Sequence, residues 1–575
     1  MTRARLGALL LPPLLLLFAW IPTPAHAVEA SARARAALTV EVPRVSFEEL
    51  MSIPEVNALS RKGGAGLLAN PEDIVVVTPR AGPTDDIGPG TQRSVILDPD
   101  QLGGLEAVGR ELRRVIDAFP TEELLVIVYS SRPSAEMVES NDELHGIAMA
   151  IGAPEDLLPA SGDEGSLSSG STRRDGVVVG GDIRETVDTF LDSRLLVSGT
   201  LPPGEPIEII PGPPPFELHE RYLAQRRMYV PIGTAGGIYL AVAGLGAIAA
   251  LALGSRVPRA VRRVFGWGCL SVAALATAFL AAGHLSDLTY ATVVPFVALV
   301  TVFGTLAFAP LEHRDVLLIP AGLGIAVLAF FAIEALLNWT AALTPFVGGS
   351  ELDGGRFYGL PNVFIGLLIG ACLWIAQRLK TATGLALIVV VALFAGFPYL
   401  GANLGGGVSL FAAAGLWLAI RERERLGVWK GLGVFVGVTM LGTAVILAAH
   451  AVFPFETHVT RFEEQAGGLG GVFEKVWDRL QVGFALIARN PFALIPVLGL
   501  PIAIAAVLRP PAALRPSLER SPAWRDAILV TLLAGVVAYV VNDSGPAAAG
   551  FAFGLGLGGL LGVSLLSEAG KMGEP

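Results

Sequence analysis

Ile232 to Leu253 reads I-G-T-A-G-G-I-Y-L-A-V-A-G-L-G-A-I-A-A-L-A-L, 22 residues without a single charge. A helix of that length covers the ~30 Å hydrocarbon core of a bilayer at about 1.5 Å per residue. It runs directly into Gly254-Ser255-Arg256-Val257-Pro258-Arg259-Ala260-Val261-Arg262-Arg263, where four arginines crowd the exit. Apolar stretches of this kind recur toward the carboxyl end, beginning near Phe265, Tyr290, Val316, Leu360, Ala382, Gly405, Leu432, Asn490, Ala527 and Ala547. That makes about eleven transmembrane helices. Basic residues also follow the fifth stretch (Arg378, Lys380), the seventh (Arg421, Arg423, Arg425, Lys430) and the ninth (Arg509, Arg515, Arg520, Arg525). The positive-inside rule places these loops and the carboxyl terminus in the cytoplasm, and everything before Tyr229 outside.

Composition points the same way. The chain has 575 residues, 53% hydrophobic and only 16% charged, against about 25% charged for a soluble domain. Its mean hydropathy is +0.61. These values exclude a wholly soluble enzyme and a disordered chain. The net charge of −10 argues against a nucleic-acid partner, which requires a basic face. Both cysteines, Cys269 and Cys372, lie in apolar runs, so neither a disulfide framework nor a CxxC metal site is expected.

Met1 to Ala27 carries a basic start (Arg3, Arg5), an apolar stretch (Leu6 to Ile21) and a closing Ala25-His26-Ala27. This is the pattern of a secretory signal. Residues 28–228 then read as an extracytoplasmic α/β domain with a parallel-type sheet. Its strand-like runs are Ala37–Val42, Ile74–Val77, Leu124–Tyr129, Val177–Val179 and Ile207–Ile210, and its helical stretches Phe47–Lys62, Leu102–Ala118 and Ile183–Leu191. Pro202-Pro203-Gly204 and Pro211 to Pro215 form a stiff spacer toward the membrane domain at 229–575.

The succession Ala37–Val42, Val45–Leu50, Ile53-Pro54-Glu55-Val56-Asn57-Ala58-Leu59 and Gly63–Leu68, with the later Asp182-Ile183-Arg184-Glu185-Thr186, resembles the alkaline phosphatase superfamily. Asp182 is also read as a helix N-cap. The resemblance implies an aspartate ending the first strand, a Ser/Thr nucleophile and an Asp-His pair after a central strand. Here the first strand runs into Pro43-Arg44-Val45, and Leu124–Tyr129 is followed by Ser130-Ser131-Arg132-Pro133. Thr78 and Thr84 stand near the nucleophile position without an activating base. His145 and His219 lack metal-ligand spacing to another ligand. A two-metal phosphoryl-transfer site does not survive such losses. The domain is therefore expected to be non-catalytic, with no metal and no cofactor.

In the membrane half the informative residues are polar ones in the outward turns. Asp353, Arg356, Tyr358 and Asn362 open the fifth stretch, and Asn403 opens the seventh. His458 and Arg461 follow the eighth, and Asp543 precedes the last. His284 and Asp287 occupy another outer turn, and Glu334 sits near the outer end of the fourth stretch. His450 and His313 read as interfacial. Arg356 and Arg461 offer forked donors for phosphate oxygens, His458 a base near working pH, and the glycines around Asn403 a close approach for an anion. The plain alternative is that Asn and Asp cap helices and Gly ends them.

Arg356 to Leu368, R-F-Y-G-L-P-N-V-F-I-G-L-L, resembles the segment that opens a membrane span in O-antigen ligases and polymerases. Thr457 to Arg489 stands where those proteins carry a large outer loop. Residues 471–489 read as an amphipathic helix lying along the outer surface. The resemblance implies His458 as base, Arg356 and Arg461 as diphosphate clamps, and a polyprenyl-diphosphate-linked glycan as partner alongside membrane lipid. The expected function is handling of a lipid-linked or polyanionic glycan at the outer leaflet, with glycan transfer or ligation as the candidate reaction and the soluble domain as a binding or docking module. The alternatives are a transporter of an envelope precursor and a scaffold for other envelope-assembly proteins. A transporter would set ionisable groups deep in several spans, where Glu334 stands nearly alone.

Overall fold

A computed structural model of the chain describes residues 35–69, 92–134, 137–138, 142, 144–158, 165–172, 174–191, 204–347, 358–452, 481, 494–542 and 545–571. The signal segment, Ile74–Val77, the stretch 471–489 apart from residue 481, and Asp353, Arg356, His458, Arg461 and Asp543 lie outside the described residues. The chain divides into two compact units, one ending at Arg227 and the other starting at Met228; Tyr358 groups with the first.

The first unit is built on an eight-stranded sheet in the order β3-β1-β4-β5-β2-β6-β8, with β7 paired to β2. The strands are β1 (Arg35–Glu41), β2 (Gly64–Ala69), β3 (Gln92–Ile96), β4 (Glu123–Tyr129), β5 (His145–Gly152), β6 (Gly165–Ser169), β7 (Val177–Val179) and β8 (Ile207–Pro211). β1 runs parallel to β3 and β4, but β5 is antiparallel to both β4 and β2, and β8 is antiparallel to β6. The sheet is therefore mixed rather than parallel. Direction was not legible because a central strand covered on both faces is apolar throughout whichever way it runs.

The local sequence explains the helices. Ser46 and Glu49 form a capping box: Ser46 Oγ accepts from Glu49 N at 3.1 Å, and Glu49 Oε2 accepts from Ser46 N at 2.7 Å. Pro54 then starts a new helix, so the expected Phe47–Lys62 helix is two, α1 (Phe47–Ser52) and α2 (Pro54–Lys62). The next are α3 (Leu105–Asp117) and α4 (Gly180–Phe190). Asp182 is not the N-cap of α4 but its third residue. Its carboxylate accepts from Val179 N, Glu205 N, Ser169 Oγ and Ser171 Oγ at 2.6–3.0 Å, tying three segments together. Leu125, Ile127, Ile147 and Met149 pack with Ile183 and Val187 on one face of the sheet. Burying each such side chain contributes about 1.5–3 kcal/mol.

The second unit is helical: α5 (Phe216–Leu253, whose first turns belong to the first unit), α6 (Arg259–Leu270), α7 (Val272–Ala281), α8 (Tyr290–Leu306), α9 (Leu318–Leu336), α10 (Ile365–Ala376), α11 (Thr381–Gly396), α12 (Leu404–Arg421), α13 (Arg423–Val452, bent at Gly427), α14 (Leu494–Leu508), α15 (Pro522–Val541) and α16 (Gly545–Lys571). Among the described residues seven helices are long and apolar enough to cross a membrane, and α6 with α7 makes an eighth if that pair, bent by 46°, is one span. Three further helices, within 362–376, 381–396 and 498–508, are apolar but shorter. The chain is thus an α/β domain followed by a membrane-embedded, multi-pass helical part. Glycine permits the closest approach in it. A β-carbon on Gly366 of α10 would lie 2.6 Å from the amide nitrogen of Ala552 in α16, and nearer still to the carbonyl oxygen of Ala548.

Candidate functional site

The polar side chains of the helical unit sort onto two opposite sets of helix ends. One set is held by arginine–carboxylate pairs: Arg262 with Glu568, Arg263 with Glu312, Arg378 with Asp315, and Arg421 and Arg423 together on Asp526. The distances run from 2.7 to 3.3 Å. These are the turns whose basic residues dominated the sequence reading.

The other set carries no arginine pair among the described residues. Asn403 caps α12, its Oδ1 accepting from Gly406 N at 2.7 Å. Its Nδ2 donates to Leu360 O at 2.8 Å and to Asn362 Oδ1 at 2.9 Å. Two of the expected site residues, Asn362 and Asn403, are thereby brought into contact. Asn403 is fully buried and its three bonds are internal, so its observed work is to hold the 360–362 turn against the start of α12. Asn542, the residue before Asp543, donates to Ser409 Oγ at 3.1 Å on that same helix. Trp339 extends the cluster sideways by donating its indole N–H to Leu400 O at 2.6 Å.

Glu334 ends α9 in the same layer and is fully buried. Its Oε2 accepts from Ala341 N at 3.2 Å, and its Oε1 is bonded to Nε2 of His284. The sequence marked both residues without joining them, since nothing in a spacing of fifty positions relates the end of one helix to the end of another. Ser409 and Trp339 went unmarked. Serine mid-helix and an indole in a short loop carry no periodic signal.

In the first unit the position expected for the Asp-His pair is occupied by serines. Ser130 Oγ donates to Val45 O at 2.7 Å and lies 3.3 Å from His145 Nδ1, and Ser131 is bonded to Glu41. β1 ends at Glu41, an acid two residues before Pro43-Arg44-Val45. His219 is fully enclosed between Glu48 Oε1 at 2.7 Å and Asp142 Oδ2 at 2.8 Å. The hydrogen bond from His219 holds the Glu48 carboxyl below its usual range. No group of three His, Cys, Asp or Glu side chains able to hold a metal ion occurs among the described residues.

Burial pushes His145 down to about 4, with Asp142 opposing only in part. An unfolded histidine titrates near 6.5, so between those values the unfolded chain binds the extra proton. The stability that His145 contributes by staying neutral is complete above about pH 6.5 and is lost as pH falls toward 4, amounting to about 3 kcal/mol. Amide exchange of β4 and β5 in the whole protein, corrected for intrinsic rates, should show this loss between pH 7.5 and 4.5. His145→Gln should flatten it, and protection that does not change over that range would refute the assignment.

Compared with protein-family models, curated proteins and solved structures, the chain matches none.

Proposed function

We infer that the protein is a cell-envelope membrane protein that handles a lipid-linked or polyanionic glycan at the outer leaflet, with the first unit as a non-catalytic binding or docking module. The reading takes all eleven apolar stretches as crossings, counting the bent pair and the three shorter helices. The arginine-paired ends then face the cytoplasm, and the Asn/Glu/His/Trp ends share the exterior with the first unit. The observation that carries it is the sorting of polar side chains onto opposite helix ends. Arginine–carboxylate pairs suit a cytoplasmic interface, whereas the opposite ends are framed by internally bonded amides and an indole and leave a carboxylate-held imidazole partly exposed to a hydroxyl-bearing ligand. Arg356, His458 and Arg461 belong to this site on sequence grounds alone. Serines in place of an Asp-His pair support a first unit without phosphatase chemistry.

The test is depletion of the protein in its own cells, followed by quantification of polyprenyl-diphosphate-linked glycans. The expected result is at least a threefold rise in one such precursor, reversed by the wild-type chain but not by Arg356→Ala or His458→Ala. Unchanged pools would reject the reading. Rescue by both variants would leave a scaffold.

A further inference from the structure

Glu334 and His284, each marked in the sequence, form a pair that the sequence did not join. A carboxylate at the end of a membrane helix, withdrawn from water, is costly to desolvate unless it is paired and hydrogen-bonded. Glu334 meets that condition with one oxygen on Ala341 N and the other on His284 Nε2. His284 is not enclosed with it: its side chain keeps 35% of its exposure while that of Glu334 keeps 1%. An ionised carboxylate only accepts, so the contact places a proton on Nε2, and the neutral imidazole in this pose carries its lone pair on Nδ1. No partner for Nδ1 occurs among the described residues.

The surroundings are built to hold this pose. The turn Ala282–His284 is pressed on Thr340–Leu343, because Gly283 has no side chain: a β-carbon there would lie 3.0 Å from the Ala341 carbonyl carbon and closer to its oxygen. Thr344 Oγ1 donates to Gly283 O at 3.3 Å. Asn338 and Trp339, at φ 54° and 57°, adopt left-handed backbone without being glycine. Such conformations cost roughly 1 kcal/mol or more each and persist where the surroundings impose them. Here they return Trp339 N to Glu334 O at 2.7 Å and leave the indole fully buried.

We propose that His284, positioned by Glu334, is a hydrogen-bond acceptor for a sugar hydroxyl of the ligand, its Nδ1 facing outward while Nε2 stays on the carboxylate. The proposal rests on the glycan reading above, and names the group that would recognise the sugar rather than the diphosphate. His284→Gln keeps an N–H for Glu334 but replaces ring Nδ1 by an amide oxygen at a different position, so a ligand bond set by the Nδ1 geometry is lost while the bond to Glu334 is kept.

The test uses the full-length protein in nanodiscs with two probes, a polyprenyl diphosphate bearing one N-acetylhexosamine and the same polyprenyl diphosphate without sugar. His284→Gln should weaken binding of the sugar-bearing probe at least tenfold, leave the sugarless probe unchanged, and keep the wild-type melting temperature. Nitrogen-15 spectra of histidine-labelled protein should place the His284 proton on Nε2, a readout that needs no ligand. Equal binding of the sugar-bearing probe by His284→Gln and wild type, or a proton on Nδ1, would overturn the proposal. Failure of the wild type to bind either probe would strike the glycan reading instead, with the spectrum still deciding the dyad.

Discussion

Asn403→Leu should lower the stability of the helical unit by about 4 kcal/mol, because it removes three hydrogen bonds at once, those to Leu360 O and Gly406 N being buried. Leu360 O, Asn362 Oδ1 and Gly406 N all bond to this one side chain. Net hydrogen bonds contribute about 1 kcal/mol each, but a buried group left without a partner costs about 1–3 kcal/mol. Asn362→Ala removes only one of the three bonds and should cost about 1 kcal/mol. Unfolding in detergent, followed through tryptophan emission, measures both. If the two variants melt alike, Asn403 is not the post on which the two turns hang.

Gly366→Val should be worse tolerated than any exchange on a lipid-facing helix surface. The β-carbon and its methyls would be driven into the backbone of α16 at Ala548 and Ala552, which cannot swing aside as a side chain can. Overpacking against a side chain costs about 1–3 kcal/mol, and against backbone the upper end or beyond is expected. Ala549 and Ala552 are fully buried, so no rotation of α16 relieves the clash without exposing them. The expected result is loss of folded protein from the membrane fraction, with Gly437→Val, which faces open space in α13, as the control that retains it. Equal yields of the two variants would mean that α10 and α16 are not packed this closely.

The legible parts of this chain follow from periodic or compositional signals. Uncharged runs of about twenty residues marked the long helices, and arginine clusters marked one set of helix ends. Apolar, β-branched runs located β1, β4, β7 and β8. The strands without that signal were not located as strands by it: β3 is Q-R-S-V-I, half-buried at the sheet edge, and β6 is G-S-L-S-S. β5 begins with a histidine and two of its residues are glycine, yet lies between β4 and β2. At the candidate site the amides were readable because Asn at the start of an apolar run caps helices. Their mutual contact was not, because Leu360, Asn362 and Asn403 meet only once α10 and α12 stand side by side. The pairing of His284 with Glu334 was hidden for the same reason. The left-handed turn at Asn338-Trp339 was hidden for another: no rule of sequence predicts two strained non-glycine residues in a row.

Sidedness is what joins the fold to the function, and it is open to direct measurement in intact cells. Asp287→Cys samples the turn beside His284, and Glu424→Cys samples the turn beside Arg421 and Arg423; both positions are exposed. The native Cys269 and Cys372 are buried and do not compete for reagent. A membrane-impermeant maleimide should label Asp287→Cys in whole cells and reach Glu424→Cys only after permeabilisation. Labelling of Glu424→Cys from outside, with Asp287→Cys silent until the membrane is opened, would put the amide- and imidazole-bearing ends in the cytoplasm and leave them no glycan to meet at the outer leaflet.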